Sequence, residues 1–347
     1  MPRDCVRHHA SEGNCRLGHR TIYALPSNPR LYLALLLRSH ESVTSPQTGN
    51  LSSTSIPTAK EFLFSLAALD DEALAKQEKA FFRSIRLRNG TYKTTYSRRL
   101  DNLNEIANRL LPAERPLEIM DVAASSGVAT LEWIESLENS GIDFSMTAGD
   151  LCVRAFLLSL GRFLNVLVDS SGYPLQFDFV GKAIAFPPPK RLALKAPPLF
   201  LGVHAGRWIV PTLFAMLFKR ATASREGAAR QRFGIVCRET LLISPRLSRR
   251  TSLTILDDDL LARGSFENRF HVIRAANVLN RTYFNDETLS EMITNLRSRL
   301  RRSGLLIVCR THDDGVNHGT VFRLTNTRDF EIVRRIGNGS EIESLVV

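Results

Sequence analysis

The chain has no C-x-x-C pair. Its five cysteines (Cys5, Cys15, Cys152, Cys237 and Cys309) are scattered and odd in number. That spacing excludes a paired-cysteine zinc site, argues against a disulfide framework and favours a reduced, cytoplasmic setting. Long uncharged apolar runs are also missing. The run at 31–37 is too short to span a bilayer, and the apolar stretch 199–218 carries Arg207 near its centre. The first run lies late and no small-residue cleavage site follows it, so it makes a poor signal peptide. Acidic residues are scarce in one place. Between Lys182 and Arg250 there are fourteen Lys and Arg, opposed only by Glu226 and Glu239. This segment holds the whole excess of a chain whose formal charge is +11, and the rest is close to neutral. A basic module is thus attached to an ordinary globular body. Anionic lipid, nucleic acid and acidic protein surfaces all suit such a charge. Nucleic acid ranks last, because no aromatic-rich recognition motif accompanies it.

The 347 residues are enough for one large α/β domain with additions. Residues 1–57 read as a flexible leader, rich in Ser, Thr, Asn and Pro after Ser39. Residues 58–115 read as a helical segment, with helices at Thr58–Arg88 and Tyr96–Leu111. Strand and helix patterns then alternate. Strands are expected at Leu117–Val122, Asp143–Ala148, Ser252–Leu256, Phe270–Arg274 and Leu305–Arg310. Helices are expected at Gly127–Asn139, Leu151–Leu167 and Asp286–Arg301. Thr320–Leu324 and Phe330–Ile336 form a closing pair. Such units call for an α/β fold: a Rossmann-like, doubly wound, seven-stranded sheet with an antiparallel edge strand. Its halves are 116–168 and 251–347. Residues 169–250 interrupt them as a basic, apolar insertion, read either as a lid or membrane-facing helix pair or as a helical insertion packed on the sheet with its charges solvated.

The most informative stretch is Pro116–Gly127, PLEIMDVAASSG. An apolar strand ends in Asp121, a turn with almost no side chains follows, and an amphipathic helix begins. Bare backbone lets a bulky ligand lie close. A pyrophosphate-binding turn wants glycines at the tight positions. Here they are Ala123, Ser125 and Gly127, and Asp121 precedes them. Both points favour a ligand without phosphates, carrying an amino group for Asp121 to help hold. A nicotinamide cofactor is disfavoured.

The turn, with Asp150 in Thr147-Ala-Gly-Asp150-Leu, resembles the class I S-adenosylmethionine-dependent methyltransferase superfamily. The DVAASSG run is similar to a variant seen in quinone-biosynthesis methyltransferases. By that resemblance Asp150 accepts hydrogen bonds from two ribose hydroxyls, which suits a carboxylate. The later part (Leu253-Thr-Ile-Leu-Asp-Asp-Asp259-Leu and Phe270-His-Val-Ile-Arg-Ala-Ala-Asn277-Val-Leu) resembles chemotaxis-receptor methyltransferases. There the resemblance implies that Asp259 contacts adenine and Asn277 lines the methyl-donor site. The match covers about residues 98–168 and 244–325. Two of the usual glycines are replaced, Ala276 stands where Arg is usual, and two extra residues precede Tyr283-Phe284.

The polar loop after Arg310 contains His312 and His318. Either imidazole is a candidate general base beside the methyl group. The H-D-D…H spacing matches no standard metal site. Asp257 and Asp258 read as solvated turn residues, Trp133 as core and His271 as structural. The expected function is methyl transfer from S-adenosylmethionine to a small-molecule or lipid-like acceptor, with an anionic membrane surface as partner. The alternative is a non-catalytic donor-binding or scaffold protein whose insertion binds a membrane or partner. Oligomeric state is not legible.

Overall fold

Leu117–Val122 alternates its contacts between two cores and forms the central strand, β1. The computed structural model describes residues 56–64, 71–93, 96–186, 197–222, 229–232, 234–250, 253–264, 266–312 and 314–347. The leader expected at 1–57 lies almost wholly outside the described residues.

Seven strands form one sheet in the order β13-β12-β11-β10-β1-β2-β9. They are β1, β2 (Phe144–Asp150), β9 (Leu253–Asp257), β10 (Phe270–Ala276), β11 (Leu300–Thr311), β12 (Asn317–Leu324) and β13 (Phe330–Ile336). The pairings from β9 to β11 are parallel, and β12 pairs antiparallel with both neighbours. Helices cover both faces, as a parallel sheet requires. On one face α3 (Asp101–Leu110) and α4 (Val128–Asn139) pack Leu103, Trp133 and Leu137 against Ile119, Val272 and Ile307. On the other, α7 (Asp286–Arg299) packs Leu289, Ile293 and Leu296 against Met120, Ile273 and Leu306. Asn285 starts α7 by accepting from the Thr288 amide. The architecture is a Rossmann-like α/β fold closed by an antiparallel pair. Strand order reverses between β1 and β10, which makes the carboxyl ends of those strands the crevice.

The interruption is larger and differently built than its sequence implies. A second, wholly antiparallel sheet has the order β6-β5-β4-β3-β8-β7. Its strands are β3 (Arg154–Leu160), β4 (Leu164–Asp169), β5 (Pro174–Phe179), β6 (Lys182–Ala185), β7 (Ala229–Arg232) and β8 (Ile235–Leu241). The helix expected at Leu151–Leu167 is therefore a β-hairpin, and the departure from the parallel sheet begins near 154 rather than 169. The reason is burial on both faces. Phe156, Leu158, Val166 and Val168 pack on α5 (Pro197–Thr222), while Ala155, Leu157 and Leu167 pack on α1 (Ala59–Phe64) and α2 (Asp71–Ser84). A continuous apolar run of this kind does not separate strand from helix by periodicity. The expected helix pair is the single helix α5, which contains Pro211. Among the described residues no helix is long and apolar enough to cross a membrane.

Candidate functional site

The turn after β1 is built from left-handed residues at alternate positions. Ala123, Ser125 and Gly127 have φ of 54°, 58° and 78°. Small side chains tolerate such backbone better than bulky ones. Gly127 heads α4 with no side-chain cap, so the first amides of that helix face the turn. Helix α6 (Pro245–Ser248) lies against this turn: the Ser244 amide donates to the Ser126 carbonyl at 2.7 Å. A methyl added at Gly127 would run into Leu247 Cδ2. The φ favours glycine at this position, and a methyl there would also have to displace the Leu247 side chain.

Asp150 ends β2 beside this turn. Its Oδ2 accepts from the Ser125 amide at 2.8 Å. Its Oδ1 accepts from the Cys152 amide at 3.1 Å and from Lys93 Nζ at 3.0 Å. Lys93 also donates to the Ser125 carbonyl at 2.9 Å. The lysine is buried, and it ties the segment after α2 to the turn. Sequence reasoning missed Lys93, because a lone lysine in an irregular stretch carries no pattern.

Asp121 is not free to meet a ligand's amino group, and that expectation is corrected. Arg274 grips both its oxygens, Nε to Oδ1 at 2.9 Å and Nη2 to Oδ2 at 2.6 Å, and Thr130 adds a third bond at 2.6 Å. The guanidinium has other partners as well. It donates to Asn104 Oδ1 and the Ala129 carbonyl and lies 4.3 Å from the Trp133 ring centre. Asp121 thus anchors α3 and α4 to the sheet from beneath the turn.

Asp259 is half-buried past β9, and its Oδ1 accepts from the Leu261 amide. Of its two neighbours expected in solvent, Asp258 departs from that expectation and Asp257 keeps it. Asp258 is buried in a two-pronged pair with Arg299, at 2.7 and 3.0 Å. Gly149 makes room for it, since a methyl there would meet Asp258 Cβ at 2.8 Å. Asp257 is exposed and accepts from the amides of Val153 and Arg154, fixing the start of the second sheet.

Asn277 follows β10 with φ 61° and pairs with β11: its Oδ1 accepts from the Thr311 amide at 2.7 Å. Thr311 continues through Asn317 to Asn102 and the Arg99 carbonyl. The structure therefore sets Asn277, the 123–127 turn and Asp150 in a row along one edge. Thr311 and Asp150 end strands three steps apart, about 14 Å. His312 is exposed just past Thr311. His318 lies 4.6 Å from it, ring centre to ring centre. The Nδ1 of His318 accepts from the Asn338 amide at 2.8 Å. A neutral ring bonded that way carries its proton on Nε2. His318 has no spare basic nitrogen, and its expected role as a base is corrected. His271 is bonded through both nitrogens at the opposite end of β10. Among the described residues no cluster of three or more His, Cys, Asp or Glu could hold a metal.

Two further charged groups are unusual for their burial. Glu132 sits one helical turn into α4, and burial pushes its carboxyl above the ordinary range. Its Oε1 accepts from the Arg98 amide, and its Oε2 finds no partner among the described residues. Burial lowers the neighbouring Arg99 guanidinium from its ordinary value, and its Nε is likewise unpartnered among the described residues. Neither had a sequence signal, since only packing makes them unusual.

No family model matches the chain, and no curated protein matches it. Solved structures do. One is the CMeT domain of the citrinin polyketide synthase, at 16% identity, covering 60% of this chain and 32% of that chain, with TM-score 0.28. Another is phosphoethanolamine N-methyltransferase 2 of Haemonchus contortus, at 9% identity over 63% of this chain and 28% of that chain, with TM-score 0.28. A third is the PH0226 protein of Pyrococcus horikoshii, at 11% identity over 72% of this chain and 78% of that chain, with TM-score 0.31. The chain spans about a third or less of the length of the first two. None of the three is named as a chemotaxis-receptor enzyme. The strand pairing itself carries the architecture: a parallel sheet whose order reverses at β1 and β10, with a bare turn and a carboxylate side by side on its carboxyl edge.

Proposed function

We propose that this chain binds S-adenosylmethionine along the carboxyl edge of β1, β2 and β10 and transfers its methyl group to an amphipathic, lipid-like acceptor. One observation carries the reading. The turn places three small left-handed residues at the point of strand reversal, and the Asp150 carboxylate lies 2.8 Å from its central amide. Bare backbone suits a flat nucleoside, and a carboxylate suits a vicinal diol.

The residues fit the nucleoside half. The 123–127 backbone supports it, Asp150 accepts from its hydroxyls, Asp259 borders the base, and Asn277 stands beside the reacting end. When bound, the sulfonium supplies an electrophilic methyl group. The chain's own contribution is alignment, which is worth several powers of ten by itself. His312 is the remaining candidate to take a proton from the acceptor. The acceptor class follows from the basic, apolar segment between 182 and 250.

A second reading has its own support. Lys93 on Asp150 and Leu247 on Gly127 fill the cradle from within the chain. A scaffold that uses the fold without a donor needs that filling permanently. Calorimetric titration with S-adenosylhomocysteine separates the two. Binding by the wild type that is lost in Asp150→Ala supports the first reading. No heat with the wild type leaves the scaffold.

A further inference from the structure

The hairpin turn between β5 and β6 holds the wrong residue for its geometry. Phe179 pairs with Lys182, which leaves a two-residue loop of Val180 and Gly181. Both have positive φ, 51° and 74°. This is the arrangement of a type I′ turn, where Asn-Gly is preferred at these two positions. A β-branched residue is strained there, and Val180 is also 62% exposed. Asn would relieve the strain and suit water. Local propensity and solubility are therefore both set aside at one position, a pattern expected of functional sites.

The neighbouring tip shares the feature. The β3–β4 turn carries Phe163, 63% exposed, and its carbonyl accepts from the Val180 amide at 2.9 Å. Phe179, beside Leu164 in the sheet, is 56% exposed. Two bonded hairpin tips thus hold three large apolar side chains in water. Exposed Lys60, Arg162 and Lys182 stand around them. Glu61 is the exposed acid nearby. Asp178 is turned inward, accepting from Asn165 and the Gly181 amide.

The geometry points to an anionic lipid bilayer as the occupant of this surface, with Phe163, Phe179 and Val180 entering the headgroup region and Lys60, Arg162 and Lys182 meeting lipid phosphates. Three exposed cations beside three exposed apolar side chains match a negatively charged lipid surface by charge and by hydrophobicity. The inference extends the reading of a lipid-like acceptor, yet it does not depend on donor binding.

The test is co-sedimentation of the full chain, without donor, on vesicles of phosphatidylcholine alone or mixed with phosphatidylglycerol. The wild type binds the mixed vesicles and not the neutral ones. Phe163→Ser and Phe179→Ser each weaken partitioning roughly tenfold, as expected for an aromatic side chain leaving an apolar layer. Combined charge reversal of Lys60, Arg162 and Lys182 removes the preference for anionic lipid. Val180→Asn weakens binding while its thermal midpoint stays or rises, which rules out misfolding as the cause. Failure of the wild type to bind mixed vesicles overturns the inference. So does binding unchanged by all the tip substitutions. If light scattering shows a dimer that these substitutions split, the occupant is a second copy, and the lipid assignment falls. Because no donor enters the assay, its outcome is independent of the calorimetric one.

Discussion

Asp121 and Arg274 stand directly opposite each other on β1 and β10, joined by two hydrogen bonds of 2.9 and 2.6 Å, with both side chains almost fully buried. The pair sits immediately below the turn that the functional reading depends on. Removing one member leaves a buried charge uncompensated, while removing both does not. Arg274→Met should therefore cost about 3–5 kcal/mol of stability. The double change Asp121→Leu with Arg274→Met should recover most of that loss. Urea denaturation of the wild type and these two variants checks it. Equal losses in the single and double variants would mean that the arginine acts through packing on Trp133 alone.

On the proposed reading, Lys93 and a nucleoside compete for the same carboxylate. Displacing a charge-assisted hydrogen bond costs about 1.5–3 kcal/mol. Lys93→Met should strengthen binding of S-adenosylhomocysteine by about tenfold, somewhat less than that cost implies, because the methionine stem still fills part of the space. Calorimetry measures it, with circular dichroism confirming the fold. An affinity that is unchanged or weakened would place Lys93 among the supporting groups instead of the competing ones.

Burial pushes the thiols of Cys152 and Cys309 up to about 12. Only thiolates react readily with maleimides. Both should stay unlabelled in the native protein at pH 8 and react fully in urea, as read by peptide mass spectrometry. The linkage has a definite sign. The unfolded thiol loses its proton near pH 9, and the folded one holds it to about 12. The stabilisation is complete below pH 9 and is lost as pH rises from there to 12. Cys→Ala at either site should flatten that alkaline fall.

Much of the parallel sheet was legible because its signals are local. Strands β1 and β13 have the expected bounds, and α4 begins one residue after the expected Gly127. Each is bounded by residues whose backbone preferences end a run. The segment 151–167 was misread because both its faces are covered, one by helices that precede it in the sequence and the other by a helix that follows it. Helices α1 and α2 were legible as helices but not as the cover of a second sheet. Their apolar residues say that something packs on them and not what.

The candidate site divides in the same way. Ala123, Ser125 and Gly127 could be read from sequence, since a tight turn limits which residues fit it. The state of the two acids could not. Asp121 is held by a residue 153 positions later and Asp150 by one 57 positions earlier. Asp258, expected in solvent, is closed off by Arg299 on a helix that the sequence places but does not aim.

The order of residues alone determined an alternating α/β chain, a nearly side-chain-free bend and a basic, apolar excursion. Short-range backbone chemistry decides such features, and a reader of the sequence has all of it. Which carboxylate is spent on an arginine, which on a lysine, and which apolar tips are left in water was decided only when distant segments met. A charge or a large side chain takes its energy from whatever surrounds it, and those surroundings exist only in the folded chain.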